Sequence, residues 1–312
     1  MSTMKIFSGS SHPKLAQAIA KHCGVEISPM MRKQFSCGEI YVRFEETVRG
    51  QDVFIIQTGR TGHMNEDIME LLLMIDAARQ SFAGKIHVVI PYMPYSRQDK
   101  IHEPREGISA KLIAKLIANA GADHIVTTHL HSDQTQGFFD TPIDNIKPRQ
   151  LFTDYLKSKN LKNAVVVSPD AGGAKMAKKF ADDLGCSLAI MHKQRPEHNV
   201  SEITHVIGDV KGKTPIIVDD MVDTAGSVSP TKKALIANGA KDEVYLCFTH
   251  PIFSGPAIER LNQAHFKEII CSDSLPVDNP PNNFTQLSIA ELIGNVVLRV
   301  SRGESVSPLH SS

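Results

Sequence analysis

Short apolar runs rich in β-branched residues recur along this chain, spaced so that one helix fits between neighbours. Residues 4–7, 53–57, 87–90 and 125–128 form one series, and residues 164–167, 188–191 and 215–218 form a second. Such runs suit strands buried on both faces, and strands alternating with helices pair in parallel through right-handed crossovers. The expected fold class is therefore α/β, with two similar domains, each a mostly parallel sheet flanked by helices. The join is expected near residues 145–149, giving domains 1–147 and 148–312. The two series align in order, which suggests a duplication. Ligands of such sheets bind beyond the carboxyl ends of the strands, so chemistry is expected in the residues that follow each run.

The most informative of these ends lies in residues 214–228, T-P-I-I-V-D-D-M-V-D-T-A-G-S-V. A strand over 215–218 is expected to stop on Asp219 and Asp220, with Asp223 three residues further on. Thr224, Ala225, Gly226 and Ser227 then open a helix. Small residues here let a turn present consecutive backbone N–H groups, which together with a helix N-terminus favour a phosphate without any basic side chain. The carboxylates suit ribose hydroxyls or a hydrated Mg2+. Ribose 5-phosphate has both kinds of group. Acids at a strand end also serve as plain helix caps, but three acids followed by T-A-G-S favour the ligand.

Lys plus Arg equals Asp plus Glu, 34 against 34, which argues against a general nucleic-acid or membrane-surface binder. Tryptophan is absent, so the cores must rest on aliphatic residues and Met. The cysteines at 23, 37, 186, 247 and 271 are scattered and odd in number, without zinc or disulfide spacing. With no signal-peptide pattern and no long apolar run, a cytoplasmic location is expected.

Other strand ends are also polar. Ser168 to Lys175, S-P-D-A-G-G-A-K, places Asp170 and two glycines where a strand becomes a helix. Glycines admit close backbone approach, and an acid there can hold a metal or hydroxyls, or simply cap the helix. His129 and His131, two apart, would face one side of an extended segment and could bind metal or phosphate. Arg97, Gln98 and Asp99 offer a guanidinium and a carboxamide suited to a polyphosphate and a base edge. Lys193 and Arg195 are expected on a loop closed by Pro196, placed to fold over developing negative charge, although a solvated surface loop reads the same way. Ser11 is the expected cap of a first helix with Pro13 in its first turn. Gly212-Lys213-Thr214 is no P-loop, because it precedes its strand.

Ordered blocks along nearly the whole chain resemble one family, ribose-phosphate pyrophosphokinase, also called phosphoribosyl pyrophosphate (PRPP) synthetase, in its phosphate-activated, ADP-inhibited class. They include K-I-F-S-G-S-S-H at 5–12, R-Q-D-K at 97–100, Q-G-F-F-D at 136–140, S-P-D-A-G-G-A-K at 168–175, V-D-D-M-V-D-T at 218–224, F-S-G-P-A-I at 253–258 and G-E-S-V-S at 303–307. The resemblance implies two phosphoribosyltransferase-like domains, the first on the ATP side and the second bearing the ribose 5-phosphate loop. It implies transfer of the β,γ-pyrophosphoryl group of MgATP to the anomeric hydroxyl of ribose 5-phosphate, giving PRPP and AMP. ATP would be held by Arg97, Gln98, Asp99 and His131, helped by Phe35, Cys37 and Glu39 of a neighbouring subunit in a hexamer. Asp219, Asp220, Asp223, Thr224, Ala225, Gly226 and Ser227 would hold ribose 5-phosphate, His131 and Asp170 would lie around Mg2+, and Lys193 and Arg195 would be catalytic. Arg49, Arg105, Ser305, Val306 and Ser307 form the candidate site for phosphate or ADP as effectors.

The sequence departs from the family pattern in places. Cys37 stands where Asn or Asp is usual, which bears on adenine recognition. His129 replaces an Asp, Gln194 often has an acidic counterpart, and Arg105-Glu106-Gly107 lacks the usual proline step. Two alternatives remain at this point: a catalytically silent partner of active subunits, and a phosphoribosyltransferase that consumes PRPP. The first should have lost Asp170, Lys193, Arg195 or the acidic loop, and the second needs no nucleotide-binding half.

Overall fold

The computed structural model describes the backbone of residues 4–197 and 200–310, with side chains described for these residues outside 193–204. Its contacts divide into two units. One comprises Met1–Lys147 with Ser274–Pro276 and Ser288–Ser312, and the other Pro148–Asp273 with Val277–Leu287.

In the first unit the strand runs fold as β1 (Met4–Ser8), β2 (Met30–Gln34), β3 (Ile40–Phe44), β4 (Asp52–Ile56), β5 (Lys85–Ile90), β6 (His124–Thr128) and β7 (Ile143–Ile146). Between them lie α1 (Pro13–His22), α2 (Met64–Gln80) and α3 (Ser109–Ala120). Five strands form a parallel sheet in the order β1-β4-β5-β6-β7, while β2 and β3 pair as an antiparallel hairpin. Phe7, Ile55, Val88 and Ile125 from the sheet bury against Leu71, Met74 and Ile75 of α2 and Ile117 of α3. The hairpin joins this core where Phe44 meets Phe7, ring centroids 4.3 Å apart. The cap of α1 is His12, whose Nδ1 accepts from the Leu15 amide at 3.3 Å. Ser11, the expected cap, is instead buried and donates its hydroxyl and its amide to Gln57 Oε1, at 2.6 and 3.0 Å.

The second unit contains α4 (Arg149–Ser158), β8 (Ala164–Ser168), α5 (Ala174–Leu184), β9 (Ser187–Glu197), β10 (Val200–Ile207), β11 (Thr214–Val222), α6 (Val228–Ala237), β12 (Tyr245–Pro251), α7 (Ala257–Ala264), β13 (Glu268–Ser272) and β14 (Phe284–Leu287). Its seven-stranded sheet runs β10-β9-β8-β11-β12-β13-β14 and is parallel except for the edge strand β10. Successive residues of one strand point to opposite faces. Val165, Val167, Ile217 and Leu246 accordingly feed one core with Leu235 and Leu261, while Val166, Ile216, Val218 and Cys247 feed another with Phe152 and Phe180.

Two expectations need correction. The segment 192–197 is not a loop but the outer half of β9, because β10 folds back on it with Ile203 opposite Lys193 and Val200 opposite Glu197. Nor does residue run 148–312 form one unit. The last helix, α8 (Ala290–Ser301), packs on α1 of the first unit: His22 Nε2 and Asn295 Oδ1 lie 2.9 Å apart, and the Cys23 thiol donates to the Gly294 carbonyl at 3.6 Å. A Cβ at Gly294 would stand 2.6 Å from His22 Cδ2, so the close approach of the two helices requires glycine there.

Candidate functional site

At the centre of the second sheet, β11 does not stop at Val218. It pairs with β12 as far as Val222 opposite Pro251, because β12 runs on to Pro251 and continues to supply ladder partners, and so Asp219 and Asp220 lie within a strand. Asp219 Oδ1 accepts from the Asp220 amide at 2.9 Å. Burial pushes the Asp219 carboxyl well above the ordinary carboxylate range, and the like charges of Asp220 and Asp170 push it further. Crowded acids of this kind are relieved by hydroxyl donors or a cation.

The turn that follows is open and leads straight into a helix. Thr224, Gly226 and Ser227 are exposed while Ala225 is buried, with φ of 56° in the left-handed region. That conformation costs an L-residue roughly 1–2 kcal/mol, so neighbouring contacts must hold it. Helix α6 begins at once, with the Ser227 carbonyl accepting from the amide and hydroxyl of Thr231 at 3.2 and 2.8 Å. Asp223 accepts from the Ser254 hydroxyl, so the third acid is held from the loop after β12.

At the end of β8, the Asp170 side chain accepts from the Gly173 amide at 3.0 Å, and the Ser168 hydroxyl donates to the Asp170 carbonyl at 2.7 Å. A Cβ at Gly173 would lie 2.8 Å from Ser168 Oγ. Asp170 thus braces the turn ahead of α5 and does not cap the helix, whose N-cap is Gly173 without a side-chain bond. Among the described residues no three His, Cys, Asp or Glu side chains gather as a metal cage. The donor set, carboxylates crowded beside an open turn at a helix N-terminus, still fits Mg2+, which is commonly held by one or two acids, water and substrate phosphates.

In the first unit, Phe35, Cys37 and Glu39 form the exposed tip of the β2–β3 hairpin. The Phe35 amide donates to the Glu39 carbonyl and the Gly38 amide to the Phe35 carbonyl, both at 2.8 Å, and the Phe35 ring meets Tyr41 edge-on at 6.0 Å. Arg97 and Gln98 are exposed on the turn after β5, with Asp99 half-buried. Gln98 is fixed by the Ala110 amide on its carbonyl, at 3.2 Å, and by the Ser109 hydroxyl on its side chain. His131 is exposed beyond β6. His129 has φ of 46°, so the two histidines do not share the face of an extended segment as expected. Its amide donates to the Ile146 carbonyl at 3.1 Å, which bends the chain as it leaves the sheet. The backbones of Lys193 and Arg195 lie in β9, and their side chains fall outside the described residues.

The candidate effector residues divide. Ser305, Val306 and Ser307 line a groove of about 750 Å3 together with Lys85, His87, His124 and Asp144. Arg49, whose guanidinium lies 4.7 Å from the centre of the Phe82 ring, and Arg105, exposed with φ of 77°, are not in its lining.

Sequence reasoning missed the supports beneath these groups. Glu70 is fully buried and accepts from the Ser10 amide and hydroxyl at 2.7 and 2.6 Å and from Arg32 Nε at 3.2 Å, tying the hairpin to α2 and to the end of β1. Next to it, burial pushes the Asp67 carboxyl up despite its pairing with Arg60 at 2.6 Å. Ser254 and Arg260 support the acidic turn. The F-S-G-P-A-I block held the only signal for them, and spacing gave no means to pair it with residues about thirty positions earlier.

Residues 4–121 match the family pattern described as the N-terminal domain of ribose phosphate pyrophosphokinase, and residues 138–282 match the phosphoribosyl transferase domain. Ribose-phosphate pyrophosphokinase of Bacillus cereus is 47% identical over 310 residues, covering 99% of this chain and 97% of that protein. The Bacillus subtilis protein of the same name is 44% identical, with the same coverage. The crystal structure of phosphoribosylpyrophosphate synthetase from Mycobacterium smegmatis superposes with a TM-score of 0.91 at 41% identity, covering 97% of this chain and 100% of that one.

Proposed function

The chain belongs to the ribose-phosphate pyrophosphokinase family, and from that premise we propose how its residues divide the work. It is an enzyme that makes PRPP, moving the β,γ-pyrophosphoryl group of ATP to the anomeric hydroxyl of ribose 5-phosphate and releasing AMP. The observation that carries the site assignment is the junction of crowded carboxylates, Asp219 and Asp220, with the open turn 224–227 at the start of α6.

The amides of Thr224 to Ser227 bind the 5-phosphate, and Asp219, Asp220 and Asp223 bind the ribose hydroxyls. The raised Asp219 carboxyl supports this role, since a protonated acid donates to a hydroxyl oxygen and an ionised one accepts from it. Arg97, Gln98, Asp99 and His131 bind the nucleotide, and Phe35, Cys37 and Glu39 reach the adenine of a neighbouring subunit in a hexamer. Asp170 and His131 would hold Mg2+, whose charge would offset that of the polyphosphate. Lys193 and Arg195 close over the transferring group. Displacements at phosphorus need alignment and charge neutralisation more than covalent help, so no dedicated base is assigned. Phosphate and ADP act at the groove lined by Ser305, Val306 and Ser307, which Arg49 and Arg105 do not line. The location is cytoplasmic, in keeping with five free cysteines. Among the described residues no helix is long and apolar enough to cross a membrane.

Purified protein given Mg2+, ATP and ribose 5-phosphate is expected to release AMP, measured by chromatography of the nucleotides. Release of ADP would mean ordinary phosphoryl transfer and would overturn this reading.

A further inference from the structure

The F-S-G-P-A-I block at 253–258 sits between β12 and α7, and this stretch with its flanks captures three consecutive carbonyls of the acidic turn. The Ile252 and Phe253 amides donate to the Val222 carbonyl, each at 3.1 Å, and the Ser254 amide donates to the Asp223 carbonyl at 3.0 Å. The third carbonyl is held differently. Arg260, on the first turn of α7, donates from Nη1 to the Thr224 carbonyl at 3.0 Å. The same nitrogen lies 3.6 Å from the place a Cβ at Gly226 would occupy, so the guanidinium spans the turn from Thr224 to Gly226.

Three physical consequences meet at this side chain. A carbonyl among amides meant for a phosphate would repel the anion, and a guanidinium bound to it offsets that repulsion. The strained Ala225 directly follows the captured carbonyl, so the bond restricts the peptide unit that must keep its left-handed conformation. Finally, Asp219, Asp220 and Asp223 surround a ligand that itself brings a dianion, whereas Lys232 in α6 is committed to the His265 carbonyl and Asp242 at 2.7 and 2.9 Å. Arg260 is exposed, and its backbone is anchored by donation to the Pro256 carbonyl at 3.0 Å.

We propose that Arg260 is a positioning residue for the 5-phosphate, holding turn 224–227 in its anion-binding form from the outside. This rests on the assignment of that turn to ribose 5-phosphate. The test is steady-state AMP release by wild type, Arg260→Gln and Arg260→Lys, with each substrate varied at saturating levels of the other, together with calorimetric titration of ribose 5-phosphate and of ribose. Arg260→Gln is expected to raise KM for ribose 5-phosphate about tenfold, the scale of one charge-assisted bond, while kcat and KM for ATP stay within about twofold. Arg260→Lys recovers most of the loss. In the titrations the variant loses affinity for ribose 5-phosphate but not for ribose, since only the former has the phosphate. An unchanged KM for ribose 5-phosphate would overturn the proposal. So would a parallel rise in both KM values with a fallen melting midpoint, which would mark a purely structural bond. If wild type binds no ribose 5-phosphate, the site assignment itself fails, and that result is distinct from either.

Discussion

Replacing His87 is expected to remove about 2 kcal/mol of the acid sensitivity of this fold between pH 7.5 and 5. The side chain lies in β5, 5% exposed, stacked on Phe54 with ring centroids 4.4 Å apart, and its Nδ1 is 3.3 Å from Nδ1 of His124. Burial, and then the charges of His124 and Lys85, lower its pKa from 6.5 to about 4. In the unfolded chain the imidazole titrates near its ordinary value, so the unfolded state binds more protons between these limits. The stability held by neutral His87 is thus complete above about pH 6.5 and is lost as pH falls toward 4. The gap corresponds to roughly 3 kcal/mol in all, and to about 2 kcal/mol by pH 5. Urea unfolding at one protomer concentration, at pH 7.5 and 5.0, is compared for wild type, His87→Phe, which keeps a ring on Phe54, and His87→Gln. Wild type should lose about 2 kcal/mol more than either variant over this interval. Asp144, held below the usual range by hydrogen bonds from His124 and His310 that outweigh its burial, titrates at lower pH and is common to all three proteins. Parallel losses in the three proteins would refute the assignment of this proton to His87.

Two further outcomes follow from the sites. Lys193→Ala should lower kcat on the order of 10³-fold with both KM values little changed, by analogy with other charge-stabilising groups; near-normal turnover would remove β9 from the mechanism. Glu70→Gln should cost about 1–3 kcal/mol in urea unfolding, since a buried carboxylate with three donors is replaced. It should also raise KM for ATP, because Arg32 roots the hairpin that carries Phe35 to Glu39, and an unchanged KM would show that this root does not matter.

The alternation of strands and helices was legible because each buried run is short, β-branched and bounded by polar ends. Chain segments whose fate depends on a partner were not. Asp219 to Val222 continue β11 only because β12 runs alongside as far as Pro251, and residues 192–197 become strand only because β10 returns along them. Ile293, Val296 and Val297 advertise an apolar helix face, yet nothing in that pattern names α1 as its neighbour. Candidate ligand-facing residues could be nominated from the sequence, because residue type follows from ligand chemistry. The supports of the site, Glu70, Ser254 and Arg260, were hidden because their partners lie about thirty to sixty positions away, where no spacing rule reaches.

The return of α8 to α1 also sets the order in which this chain can mature on the ribosome. Synthesis completes the second unit by Leu287, while the first still lacks the helix that covers α1. Folding strictly from the N-terminus, usual for chains of independent domains, is closed to this protein. The unit begun first is finished last, and until residues 290–301 emerge its α1 face stays open to chaperones or to misplaced contacts.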